Sequence, residues 1–170
     1  MRTKIILFSI VLTLITGCSL FASEEQEEII DFVNNDIQKI ATYEAEAQQA
    51  LDTVIGENYT NDAKMYEVLT ETVIPTYQKA VDEANQLNSD LDVLKNLISK
   101  IKEGSNVYLE GVMLLKEGIE KQDPELINQA NDKLEKYTQL STEYQEQVEQ
   151  IAEEYNLEYE DESIKNETTQ

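Results

Sequence analysis

Asp123–Tyr155 reads DPELINQANDKLEKYTQLSTEYQEQVEQIAEEY, and this stretch decides the fold. Asp123 is an N-cap residue, Pro124 suits the first helical position, and Glu125 places an early acid at the positive end of the helix dipole. Ile127, Ala130, Leu134, Tyr137, Ser141, Tyr144, Val148, Ile151 and Tyr155 then recur at alternating spacings of three and four. That is the heptad stripe of a helix with one buried face. Nothing else in the chain is as regular.

Working back toward the N-terminus, residues 91–121 form the preceding helix. Val107–Leu115 is apolar apart from Glu110 and Gly111, so this helix is the most deeply buried of the set. Before it, Tyr66, Leu69, Val73, Tyr77, Ala80, Ala84 and Leu87 mark a helix starting near Asn61–Asp62. Pro75 lies within that pattern and predicts a kink or a break near Ile74, because it lacks a backbone donor and crowds the preceding turn. The first helix starts at Ser23–Gln26, a capping box, and carries Ile30, Val33, Ile37, Ile40, Ala47, Leu51 and Val54. Gly56 ends it. The reading is all-α: an antiparallel bundle of four helices packed near 20°. If the second helix runs through Asn88 into the third, the alternative is three long, spectrin-like helices.

The domain limits follow. Residues 1–17 form a signal peptide, 18–22 a tether, 23–156 the bundle, and 157–170 a disordered acidic tail without the stripe. Residues Met1–Lys4 are positive, and an apolar run extends from Ile5 to Ile15. Eleven helical residues rise only about 17 Å, too short for a ~30 Å hydrocarbon core, so the run is a secretory h-region and not a span. It ends Leu14-Ile15-Thr16-Gly17-Cys18.

That ending resembles the lipobox of bacterial lipoproteins. The resemblance implies that Ile15, Thr16 and Gly17 are read by the signal peptidase. It also implies that Cys18, the sole cysteine, carries a covalent diacylglycerol as the new N-terminus. Two acyl chains suffice for stable anchoring. The helical part is similar in kind to small lipoproteins of Gram-positive bacteria, including cell-wall-binding lipoproteins, through its composition, its helix lengths and the Lys121–Glu125 entry to the last helix. The implied location is the extracytoplasmic face of the cell membrane, reached through the lipid anchor. No functional residue carries over from the helical part.

Charge and residue counts narrow the chemistry. The 170 residues hold 35 acids, 13 Lys+Arg and no His, for a formal charge of −22. Loss of residues 1–17 removes Arg2 and Lys4 and no acid, which takes the charge to −24. Such a surface excludes nucleic acid as a partner. Without His there is no imidazole base, no Ser-His-Asp triad and no Glu-x-x-His di-iron site. Asn88-Ser89-Asp90-Leu91-Asp92 lacks the central Gly and the bidentate Glu of a calcium loop, having Ser99 at that place. No metal, cofactor or catalytic residue is expected beyond the lipid on Cys18, and the chain reads as a non-enzyme.

Three features need separate weighing. Gly104, Gly111 and Gly118 repeat at seven inside the apolar stripe of the third helix. They are either a groove for a partner helix or acyl chain, or small residues that let the first or last helix approach. Glu44 stands in the apolar column of the first helix, where burial would raise its pKa unless it reaches the edge or meets a Tyr hydroxyl. An enzymatic reading would need Glu44 or Glu110 in a paired cleft. Of the nine Tyr, Tyr66, Tyr77, Tyr108, Tyr137, Tyr144 and Tyr155 fall on stripes, while Tyr43, Tyr59 and Tyr159 are candidates for surface contact.

The expected function is a binding or scaffolding module for a protein partner at the outer membrane face, with self-association possible. An exclusion or immunity lipoprotein and a wall-associated structural lipoprotein are the alternatives. Anionic wall polymers would repel this surface; a cationic or membrane-embedded protein suits it.

Overall fold

The computed structural model describes residues 12–16 and 23–161. Cys18, Gly17, the 18–22 tether and residues 162–170 lie outside the described residues. The fold is an all-α bundle of four helices. Helix α1 (24–52) begins with both arms of the capping box, Gln26 N to Ser23 Oγ at 3.2 Å and Ser23 N to Gln26 Oε1 at 2.8 Å. It closes where Asn58 Nδ2 donates to the Asp52 carbonyl at 2.8 Å. Gly56 then takes a left-handed φ of 58° to start the short 3-10 turn Gly56–Asn58.

Helix α2 (62–86) starts from Asn61, whose side chain accepts from Lys64 N at 2.9 Å. It does not break at Pro75. The five residues Leu69–Val73 widen into a π-helical turn, and Ile74 N–H reaches back five residues to the Leu69 carbonyl. The wider turn accommodates the missing donor and the bulk of the ring, so the helix continues as Ile74–Gln86. A second π-helical segment, Phe32–Ile37, interrupts α1. It shifts the buried face: Ile29, Phe32 and Val33 are in the core, and Ile30, expected there, is half-buried.

Residues 87–91 separate α2 from α3 (Asp92–Lys121). Leu87 turns extended and Ser89 Oγ accepts from Leu91 N at 3.0 Å, so the bundle has four helices and not three. Gln122, left-handed at φ 53°, turns the chain into α4 (Pro124–Glu154), where the Asp123 side chain accepts from Glu125 N at 2.9 Å.

The ends of the bundle are set by two long-range bonds. Gln26 Nε2 donates to the Tyr155 carbonyl at 2.7 Å, and Ser89 Oγ donates to Glu28 Oε1 at 2.6 Å. The start of α1, the α2–α3 link and the end of α4 therefore share one end. Helix α3 packs along α4 and α1 lies against α2, whereas α1 meets α4 mainly through side chains.

Beside the bundle, β1 (Leu12–Thr16) pairs antiparallel with β2 (Leu157–Asp161), Leu12 opposite Asp161 and Thr16 opposite Leu157. Residues 157–161, expected to begin the acidic tail, thus form a strand, and the rest of that tail lies outside the described residues. Leu157 is buried, and the Leu-Glu-Tyr-Glu alternation has the period of two that a strand needs. Leu12–Thr16, read as part of a helical h-region, is likewise extended.

Candidate functional site

The core is two apolar clusters joined by a polar layer. Toward the end holding the start of α1 lie Ile29, Phe32, Val33, Ile37 and Ile40 with Leu94, Leu97, Ile98, Val148 and Ile151. Toward the other end lie Ala47, Leu51, Leu69, Val73, Val107, Val112 and Leu134. Glu44 falls between Ile40 and Ala47, at the junction. With it, Gln48, Ser105 and Ser141 are the buried polar residues among those described.

Helical spacing puts them on one level. Glu44 and Gln48 are one turn apart on α1; Ser105 and Tyr108 face them from α3, Tyr137, Ser141 and Tyr144 from α4, and Tyr77 from α2. The Tyr77 hydroxyl donates to Glu44 Oε1 at 2.8 Å. Tyr77 stacks on Tyr108 with ring centroids 4.1 Å apart, and Tyr108 meets Tyr137 edge-on at 4.9 Å. The Tyr108 hydroxyl donates to Gln48 Oε1 at 3.2 Å, and Gln48 Nε2 donates to Asp52 Oδ1 at 2.6 Å.

The electrostatics follow from burial. Loss of water pushes the Glu44 carboxyl up from 4.5 to about 7, although the Tyr77 hydrogen bond pulls the other way. Burial, then the neighbouring Glu44 charge, holds the Tyr77 and Tyr137 hydroxyls well above the ordinary phenol range. Tyr144 is raised for the same two reasons. At neutral pH the layer thus holds protonated phenols around a carboxyl poised between its two states.

Beside Glu44 is a cavity of about 30 Å³, lined by α1 (Ile37, Ile40, Ala41), α3 (Ile101, Gly104, Ser105) and α4 (Tyr137, Ser141, Tyr144), with Lys100 also on its wall. That is room for about two waters. Lys100 is turned to Glu143, at 2.5 Å.

The glycine column faces α4. An added Cβ at Gly104 would lie 3.9 Å from the Tyr137 ring, at Gly111 3.0 Å from Leu134 Cδ2, and at Gly118 2.8 Å from Ile127 Cγ1. At Gly111 and Gly118 the space is filled by the protein's own last helix, whereas Gly104 also borders the cavity. Ile15 and Thr16 lie in β1, away from the glycine column in sequence and structure. Glu110 is not brought to Glu44: it is exposed and paired with Lys133 at 2.5 Å.

Among the off-stripe tyrosines, Tyr59 is 48 % exposed, while Tyr43 is half-buried under Lys79, whose Nζ is 5.5 Å from the ring centroid. The Tyr hydroxyl that the sequence offered Glu44 is that of Tyr77, whereas Ser105, Ser141 and Gln48 were not legible as its buried polar neighbours. Only Ser141, a polar residue on a heptad position, carried a signal. Among the described residues no group of three or more metal-ligating side chains is assembled, and no helix is long and apolar enough to cross a membrane. No protein-family model, curated protein or solved structure matches the chain.

Proposed function

We propose that the chain is a lipid-anchored lipoprotein of the extracytoplasmic membrane face, and that its bundle docks a cationic or membrane-embedded protein partner without catalysing a reaction. The observation that carries the reading is Leu14-Ile15-Thr16-Gly17-Cys18, following a short apolar run and standing only five residues before the capping Ser23. Six residues from Cys18 to Ser23 reach at most about 20 Å, so the end of the bundle with the start of α1 faces the bilayer. On this reading cleavage removes β1, and the β1–β2 ladder belongs to the precursor alone.

The charge of −24 on the cleaved chain supports a docking role. It speeds encounter with a basic partner and rejects acidic ones. The test is cross-linking of the lipidated protein in intact source cells, with adducts identified by mass spectrometry, alongside a Cys18→Ser strain. A single stoichiometric protein adduct at the membrane, lost in Cys18→Ser, is the expected result. Membrane retention of correctly cleaved Cys18→Ser would overturn the anchor, and adducts confined to the protein itself would overturn the partner.

A further inference from the structure

Three facts meet at Glu44. It is the acid that interrupts the core, at the junction of the two apolar clusters. The cavity beside it lies on the side where α1 meets α4 mainly through side chains, while α3 and α4 are drawn together at Gly111 and Gly118. And among the described residues no cation is paired with it. From α2 its titratable neighbour is Tyr77, from α3 Tyr108, and from α4 Tyr137 and Tyr144. Lys100, on the cavity wall, is held by Glu143, and Asp52 on α1 is reached only through Gln48.

A neutral carboxyl here is an ordinary hydrogen-bonding group. A carboxylate here has the Tyr77 donor at 2.8 Å, and neither Tyr77 nor the three other phenols around it, Tyr108, Tyr137 and Tyr144, ionise at neutral pH. Beyond the Tyr77 hydrogen bond its charge calls for water, and the cavity beside it is a place for water to enter.

We propose that Glu44 is a proton-operated latch on the α1–α4 seam. Protonated, it lets α1 close over the tyrosine layer. Ionised, it draws water into the cavity and loosens α1 from α4, leaving the α3–α4 pair intact. The device stands independently of the lipid anchor and the partner, so it can fail without them and survive their failure.

An α1 released from α4 is only marginally helical by itself, so opening registers in amide exchange. The experiment is hydrogen–deuterium exchange of the full chain at pH 6 and pH 8, corrected for intrinsic rates. With Glu44 shifted from 4.5 to about 7 when closed and unshifted when open, linkage gives a loss of protection of roughly tenfold over that interval. The loss is expected in residues 37–48 and 137–144 and not along α3 from Gly111 to Gly118. Glu44→Gln is expected to abolish the pH dependence. Tyr77→Phe, which removes the donor to the ionised form, is expected to move the midpoint to higher pH. Equal pH responses in wild type and Glu44→Gln, a loss spread evenly over all four helices, or an unmoved midpoint in Tyr77→Phe would each overturn the latch.

Discussion

Tyr77 and Glu44, on different helices and 33 positions apart in the chain, share a buried 2.8 Å hydrogen bond at the one level where the core stops being apolar. The bond fixes how α2 sits against α1 along their length. A one-turn slip of either helix would leave both groups buried and unpartnered, at a cost of several kcal/mol.

Stability should therefore fall as pH rises through neutrality. The folded pKa of Glu44 lies above its unfolded value of 4.5, at about 7, so the stabilisation is full below the unfolded pKa and is lost as pH climbs through the folded one. The full shift corresponds to about 3 kcal/mol. Urea unfolding at pH 5 and pH 8 should show wild type losing about 2 kcal/mol relative to Glu44→Gln. Parallel profiles for the two proteins would contradict this.

The glycine column predicts a ranking. Gly104→Ala adds a methyl at ordinary contact distance and relieves the helix cost of Gly, so it should stabilise by up to about 1 kcal/mol. Gly118→Ala meets both Ile127 Cγ1 and, at 3.1 Å, Ile127 N, and should destabilise by about 1–2 kcal/mol. Gly111→Leu should cost about 3 kcal/mol by overpacking against Leu134. Thermal melts settle the order; a stabilising Gly118→Ala would show that α4 does not lie where its side chains place it.

Ser23→Ala should cost about 1 kcal/mol by removing one arm of the capping box. Gln26→Ala should cost more, since that side chain also donates to the Tyr155 carbonyl and ties the two chain-terminal helices together. Chemical denaturation of the two variants checks the order.

Added salt should raise the melting temperature. Lys100–Glu143, Lys133–Glu110 and Lys136–Glu103 bridge α3 and α4, but all are partly or well exposed, and such pairs contribute little. The larger effect is repulsion within an acidic chain of formal charge −22, which salt screens. A melting temperature that falls with sodium chloride would mean the three pairs outweigh that repulsion.

What the sequence disclosed was set by periodicity. The last helix, its Asp123-Pro124 start and the Ser23–Gln26 box are local patterns, and all three stand where the residues place them. The π-helical turns are not local in that sense. One extra residue per turn in Phe32–Ile37 rotates the buried face from Ile30 to Ile29, and no 3.6-residue template contains it. Pro75 announced a disturbance but not its form, because a break and a widened turn both satisfy a missing donor. Glu44 was visible as an acid out of place. A Tyr hydroxyl as its partner was legible too, and Tyr77 supplies it; which tyrosine, and the nearness of Ser105 and Ser141, depend on the register between helices.

The unequal closeness of the helix pairs also sets how the domain yields to load. A pull on the amino terminus enters α1, whose cap at Ser23 and side-chain seam with α4 are the first fastenings in line. The α3–α4 pair, with Gly111 and Gly118 bringing the two helices into direct contact, comes last. Such a molecule peels from one edge. Under load α1 is expected to yield before the α3–α4 pair, where a bundle gripped equally on all sides would rupture as a whole.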